Sequence, residues 1–127
     1  MDKVLLVFVG GGLGAVGRLL VGQQALRWVG PGWPHGTFAV NILGGLLMGL
    51  LAGWLAHKGG ADQARWSLLL GVGLLGGFTT FSAFSLETAL MLERREVGAA
   101  LLYAAGSVAL SVAALWLGLL VSRRVWA

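Results

Sequence analysis

The stretch Gly76-Gly77-Phe78-Thr79-Thr80-Phe81-Ser82-Ala83-Phe84-Ser85-Leu86-Glu87 lies inside an apolar run from about Trp66 to Leu92 that carries no charge before Glu87. A run of that length suits a membrane-spanning helix, since about 20 residues at ~1.5 Å rise cross the hydrocarbon core. Its middle is nonetheless a poor helix, because paired glycines followed by two β-branched threonines lower helix propensity. In lipid, irregular backbone persists only where protein or a water-filled cavity satisfies it. The pattern therefore predicts a spanning helix broken at mid-membrane depth, with freed carbonyls that could hold a cation.

Three similar intervals flank it. A first span is expected at about 4–25, interrupted only by Arg18; a second at about 37–56; and a last at about 97–121, with the broken span at about 66–92. Pro31 and Pro34 end the first, and Gly59-Gly60 with Asp62 makes the second turn. The tight polar link Glu93-Arg94-Arg95-Glu96 precedes the last span, and Trp28, Trp33, Trp66 and Trp126 fall near span ends as an aromatic belt requires. The first apolar run lacks a cleavage site of small residues after a short core, so it is expected to stay in the mature protein.

Composition agrees. Of 127 residues, 57% are hydrophobic and 11% charged, against about 25% charged in a soluble domain. That excludes a soluble globular fold and leaves one four-helix transmembrane domain over residues 1–127. The 22 glycines favour close helix packing in lipid, and the lack of cysteine removes disulfides, thiolate nucleophiles and zinc clusters. The net charge of +4 is spread over helix ends with no cluster denser than a pair, so cytoplasmic or headgroup contact fits better than nucleic acid.

Orientation is weakly specified. Lys3, Lys58, Arg65, Arg123 and Arg124 fall on one side, against Arg27, Arg94 and Arg95, joined by Arg18 if it snorkels that way. Such balance permits dual topology, and equally permits one orientation with a modest bias. Four helices bury little interior, so an oligomer is expected. Gly45, Gly49 and Gly53, with Asn41 on the same face, form a smooth ridge that Gly10 and Gly14 repeat. These ridges serve either assembly or packing within one chain.

Polar groups inside apolar spans are the functional pointers. Asn41 offers an amide donor, with Thr37 one turn before it, and Tyr103, Ser107 and Ser111 form a hydroxyl stripe at four-residue spacing. Phe81 and Phe84 share a face, beside a parallel row of Ser82 and Ser85. Two phenylalanines at helical spacing ordinarily mean packing, yet aromatic ring edges are positive and suit a small anion. Amide, hydroxyl and ring-edge donors together suit an anion that accepts hydrogen bonds strongly. Glu87 reads either as a hydrogen-bond partner near a pore mouth or as an interfacial cap. Arg18 reads either as a cation concentrating anions at a vestibule or as a snorkelling anchor. His35 and His57 lie at span ends without a nucleophile or companion carboxylate, so no enzyme chemistry is expected.

Along nearly its whole length the chain resembles the bacterial Fluc (CrcB) fluoride channels. The resemblance rests on Gly11-Gly12-Leu13-Gly14-Ala15-Val16-Gly17-Arg18, on Gly36-Thr37-Phe38-Ala39-Val40-Asn41 through Gly44, and on Gly76 to Glu87 as quoted. It implies an all-α, antiparallel, dual-topology homodimer in the bacterial inner membrane, with two fluoride pores and passive export of cytoplasmic fluoride. It further implies that Phe81 and Phe84 line the pore with ring edges and that Asn41 donates to fluoride. Ser82, Ser85, Tyr103, Ser107 and Ser111 would follow a polar track, with Glu87 near its end and Arg18 near an aqueous vestibule. Backbone carbonyls of Gly76 and Thr79 would hold a structural sodium ion on the dimer axis. Leu19 and Ala83 depart from the family pattern, which commonly has an aromatic and a threonine there. The rival reading is a proton-coupled small multidrug exporter, also a four-helix dual-topology dimer. Such exporters carry a glutamate in the first span, where this chain has no acid after Asp2. A noncatalytic assembly subunit is a third reading, and it leaves Asn41 and the serine rows unexplained.

Overall fold

The computed structural model describes residues 2–126, and every regular element in it is helical. Helix α1 spans Asp2–Val29 and α2 spans His35–Lys58. The turn between them uses Gly30 and Gly32 at φ 89° and 112°, backbone that side chains with a Cβ rarely adopt. After Lys58 a single tight turn at Gly60–Asp62 leads into the helical run 63–78, called α3. Within α3 the backbone widens to π-helical geometry over Ser67–Leu75 and returns to an α-helical turn at Gly76–Phe78. Thr79 and Thr80 are extended, with ψ of 159° and 119°. Helix α4 then runs Phe81–Glu93, and α5 covers Val97–Trp126.

Four helical segments are long and apolar enough to cross a membrane: Asp2–Val29, His35–Lys58, Gly60–Glu93 and Val97–Trp126. Each reaches past the interval expected from apolar residues alone. Helices continue through their charged ends because long basic side chains lie back along the helix while their heads stay in water. The interruption falls within the glycine and threonine stretch that propensity singled out. It occupies Thr79–Thr80, where Thr80 caps α4 by accepting the Ala83 N–H on its hydroxyl at 3.1 Å.

The glycine ridges are used inside the chain. A methyl group at Gly49 would strike the Leu115 carbonyl, one at Gly53 the Ser122 side chain, and one at Gly45 the Ser111 carbonyl, so α2 lies directly against α5. From the other side Gly118 meets the backbone at Leu46 and Leu50. The fully buried Ser122 hydroxyl donates to the Gly118 and Leu50 carbonyls at 2.9 and 3.0 Å. Likewise Gly10 and Gly14 of α1 press on the α3 backbone near Leu69 and Leu74. Of the two readings of these ridges, packing within one chain is the one observed, and they lend no support to assembly.

Candidate functional site

At the break the backbone donors and acceptors can be accounted for one by one. A helix leaves its last carbonyls and first amides without internal partners. The Leu75 carbonyl takes the N–H and the hydroxyl of Thr79, each at 3.0 Å. The next donors are diverted: the Thr80 N–H goes to Asn41 Oδ1 at 2.8 Å and the Ala83 N–H to Thr80 Oγ1. The carbonyls of Gly76 and Thr79 therefore lose the amides that would have closed their helical bonds. Arg18 Nε donates to the Gly77 carbonyl at 3.2 Å, a cation at a helix C-terminus where the dipole favours it. The guanidinium thus turns onto the α3 backbone.

Asn41 answers the break from α2. Besides accepting from Thr80 N–H, its Nδ2 donates to the Thr80 carbonyl at 3.0 Å. An amide NH₂ has two hydrogens, so one donor remains, and Asn41 lines a cleft of about 350 Å³ between α2, the break, α4 and α5. Phe81, Phe84, Ser107 and Ser111 line the same cleft. The Ser107 and Ser111 hydroxyls are buried and have no hydrogen-bond partner among the described residues. Buried polar atoms are normally paired, so these two hydroxyls are exceptions standing beside the cleft.

The aromatic groups continue from this cleft. Phe81 is 78% exposed and Phe84 half-buried, with ring centroids 5.5 Å apart. Phe84 in turn lies 5.3 Å from the ring of Tyr103, which is fully buried. Trp33 stands edge-on to Tyr103 at 5.2 Å, so this tryptophan faces protein as well as marking a span end. Tyr103 and Thr37 both donate to Glu87: Thr37 Oγ1 to Oε1 at 2.6 Å, and Tyr103 Oη to Oε2 at 3.3 Å. The half-buried carboxylate is thus a hydrogen-bond hub joining α2, α4 and α5, rather than a cap.

Of the sequence-selected residues, Arg18, Gly76, Ser82, Ser85, Glu87 and Tyr103 do not line the cleft. Ser82 and Ser85 are exposed on α4; Ser82 Oγ lies 3.3 Å from Thr80 Oγ1, and Ser85 donates to its own helix at Phe81 O, 2.9 Å away. Sequence reasoning missed Thr80, whose backbone is gripped by Asn41 and whose hydroxyl caps α4, and it gave Thr37 no partner. A threonine directly before a hydrophobic helix start is an N-cap signal that could have identified the first. Among the described residues no three His, Asp or Glu side chains gather, so a cation here would rely on backbone oxygen. The released Gly76 and Thr79 carbonyls supply such oxygens, a donor type that suits a hard cation.

The family model described as CrcB-like protein, Camphor Resistance (CrcB), matches residues 5–119. The fluoride-specific ion channel FluC of Phenylobacterium zucineum is 70% identical over 127 residues, all of both chains. That of Caulobacter vibrioides is 60% identical over the full length of both. A third, from Novosphingobium aromaticivorans, is 56% identical over 98% of this chain and 99% of its own.

Proposed function

The chain belongs to the CrcB family, and from that premise we propose that it forms a fluoride-selective passive channel that lowers cytoplasmic fluoride. Fluoride enters cells as neutral HF, dissociates in the more alkaline cytoplasm, and leaves as the anion down its electrochemical gradient. The protein needs no bond-making chemistry for this and is not an enzyme. The observation that carries the reading is the cleft where Asn41, Ser107, Ser111, Phe81 and Phe84 meet, with two buried hydroxyls that find no partner among the described residues.

Selection rests on replacing the water shell of fluoride with fixed donors at close quarters. The free Asn41 hydrogen and the serine hydroxyls supply hydrogen bonds, and phenylalanine ring edges supply weaker positive potential. Larger, weaker acceptors such as chloride regain less of their hydration in such a site. From the cleft, Phe84, Tyr103 and then Glu87 with Thr37 continue the track toward the span end, and Ser82 and Ser85 lie on the open side of α4. The multidrug exporter reading has no support: the relatives described above are fluoride-specific channels, and the Glu87 carboxylate is occupied by Thr37 and Tyr103.

The working unit in this proposal is an antiparallel, dual-topology homodimer in the lipid of the bacterial inner membrane. The near balance of basic residues across the spans supports it, as does the exposure of Phe81, which leaves one ring of the pair for a second copy to meet. A structural sodium ion would be held by the Gly76 and Thr79 carbonyls, neutralising two oxygens at the mid-membrane break. Arg18 would stand near the aqueous vestibule.

The deciding experiment is anion efflux from liposomes containing the purified protein, loaded with fluoride or chloride and started with valinomycin without a pH gradient. Rapid fluoride loss with negligible chloride loss is expected. Retained fluoride in liposomes holding folded protein would overturn the channel reading.

A further inference from the structure

Three rings enclose the buried Tyr103: Phe84 at 5.3 Å, Phe38 at 6.2 Å, and Trp33 at 5.2 Å with 82° between the ring planes. Phe38 and Phe84 ride on α2 and α4, whereas Trp33 belongs to the turn between α1 and α2, two residues before α2 begins. It nonetheless packs on the buried cluster of Met91, Ala100 and Tyr103, and its ring lies 4.9 Å from that of Phe38. The turn backbone aims it there. Gly30 and Gly32 take positive φ, Pro31 and Pro34 restrict the angles beside them, and the His35 N–H donates to the Trp33 carbonyl at 2.8 Å.

Trp33 also divides the space in front of Glu87. Two cavities, of about 470 and about 260 Å³, reach this carboxylate, and Trp33 and Pro34 line both. Behind that partition Tyr103 Oη donates to Glu87 Oε2 at 3.3 Å, the longer of the two bonds the carboxylate accepts. A hydroxyl bond of that length is past its optimum, so water admitted beside it competes well.

We infer that Trp33 is a positioning residue for conduction: its indole holds the Tyr103 ring so that the hydroxyl stays on Glu87, and it keeps the two cavities from joining and delivering water in its place. The link to conduction rests on the fluoride reading, while the ring contact stands without it. Packing alone would make Trp33 a contributor to stability. Positioning makes it also a determinant of where one hydroxyl points.

The test uses the fact that Tyr103 is the single tyrosine of the chain. Full-length protein labelled with [4-¹³C]tyrosine gives one phenol carbon signal in micelles, and its shift follows the hydrogen bond of the hydroxyl. Glu87→Leu supplies the reference position for a lost bond. Trp33→Leu, read well below its unfolding temperature, is expected to move the signal at least half of the way to that reference, and Trp33→Phe to restore most of the wild-type position. In liposomes Trp33→Leu should lower fluoride flux about 10-fold, as coupling between residues in contact allows, with Trp33→Phe again recovering most of it.

A lowered Tm with an unmoved tyrosine signal would reduce Trp33 to packing and overturn the inference. A moved signal with wild-type flux would overturn it as well, by removing the hydroxyl's position from conduction. If the wild type itself holds fluoride inside the liposomes, the channel reading falls, and the tyrosine signal still decides whether Trp33 sets the hydroxyl. Gly32→Ala leaves every side chain in place but strains a turn that needs φ of 112°. It should move the signal in the same direction, and it decides by the same outcomes if Trp33→Leu does not fold.

Discussion

Asn41 and Thr80 grip each other through both ends of one side-chain amide, Nδ2 to the Thr80 carbonyl at 3.0 Å and the Thr80 N–H to Oδ1 at 2.8 Å. The pair has the form of a single rung of β-ladder built from a side chain and an extended residue. It supplies partners for both backbone groups of Thr80 at the break, so Asn41 has a structural task beside any contact with an ion.

Asn41→Ala should therefore cost stability as well as transport. Removing both partners of a half-buried peptide group is worth about 1–3 kcal/mol. Thermal unfolding in detergent should show a lowered Tm together with lost fluoride flux. A variant that lost flux at an unchanged Tm would show that the bridge does not hold the break.

The α2–α5 seam gives a steric prediction. Gly49→Ala places a methyl group against the Leu115 carbonyl, whereas Gly98→Ala meets nothing within 4 Å. The first should lose about 1–3 kcal/mol through overpacking against backbone, and the second should stay within about 0.5 kcal/mol of the parent. Equal Tm values for the two would contradict direct backbone contact at this seam.

Thr37 and Tyr103 share one carboxylate. Thr37→Val and Tyr103→Phe each remove one donor to Glu87, at about 1 kcal/mol apiece. Together they leave the half-buried carboxylate without either partner, so the double variant should exceed the sum of the singles by about 0.5 kcal/mol or more. Strict additivity in a thermal double-mutant cycle would mean that the two hydroxyls act independently of Glu87.

The phenylalanines separate packing from conduction. Phe84→Ile loses ring contact with Tyr103 and should cost about 1 kcal/mol, whereas Phe81→Ile, at a ring 78% exposed, should leave the fold of the single chain nearly unaffected. Both should abolish fluoride flux in liposomes. Normal flux in either one would remove that ring edge from the pathway.

How far the sequence carries can be judged residue by residue. Helix number and order follow from apolar run lengths alone, because hydrocarbon thickness sets the scale. The weak point in the third run follows from propensity, and the inward hydroxyl stripe from periodicity. What stays hidden depends on which surfaces meet. The ridge at Gly45, Gly49 and Gly53 has the same composition whether its partner is α5 or another chain, and only tertiary structure places Leu115 and Ser122 over it. Arg18 and Gly77 are 59 positions apart, and nothing in either local sequence announces their contact. Ser82 and Ser85 show the reverse case: periodicity places them in a row, while packing leaves that row outside the cleft.

The extended pair Thr79–Thr80 also resets helical phase. In a continuous helix each residue advances the side-chain direction by about 100°, so a one-residue insertion before the break would rotate every face beyond it. Two extended residues replace that advance with an offset that helical periodicity does not dictate. The α1-facing surface of α3 and the cleft-facing surface of α4 are consequently set by separate neighbours, Gly10 and Gly14 for one, Asn41 and Tyr103 for the other. The aim of the phenylalanines therefore depends on the α2 and α5 contacts of α4 rather than on the helical phase of α3.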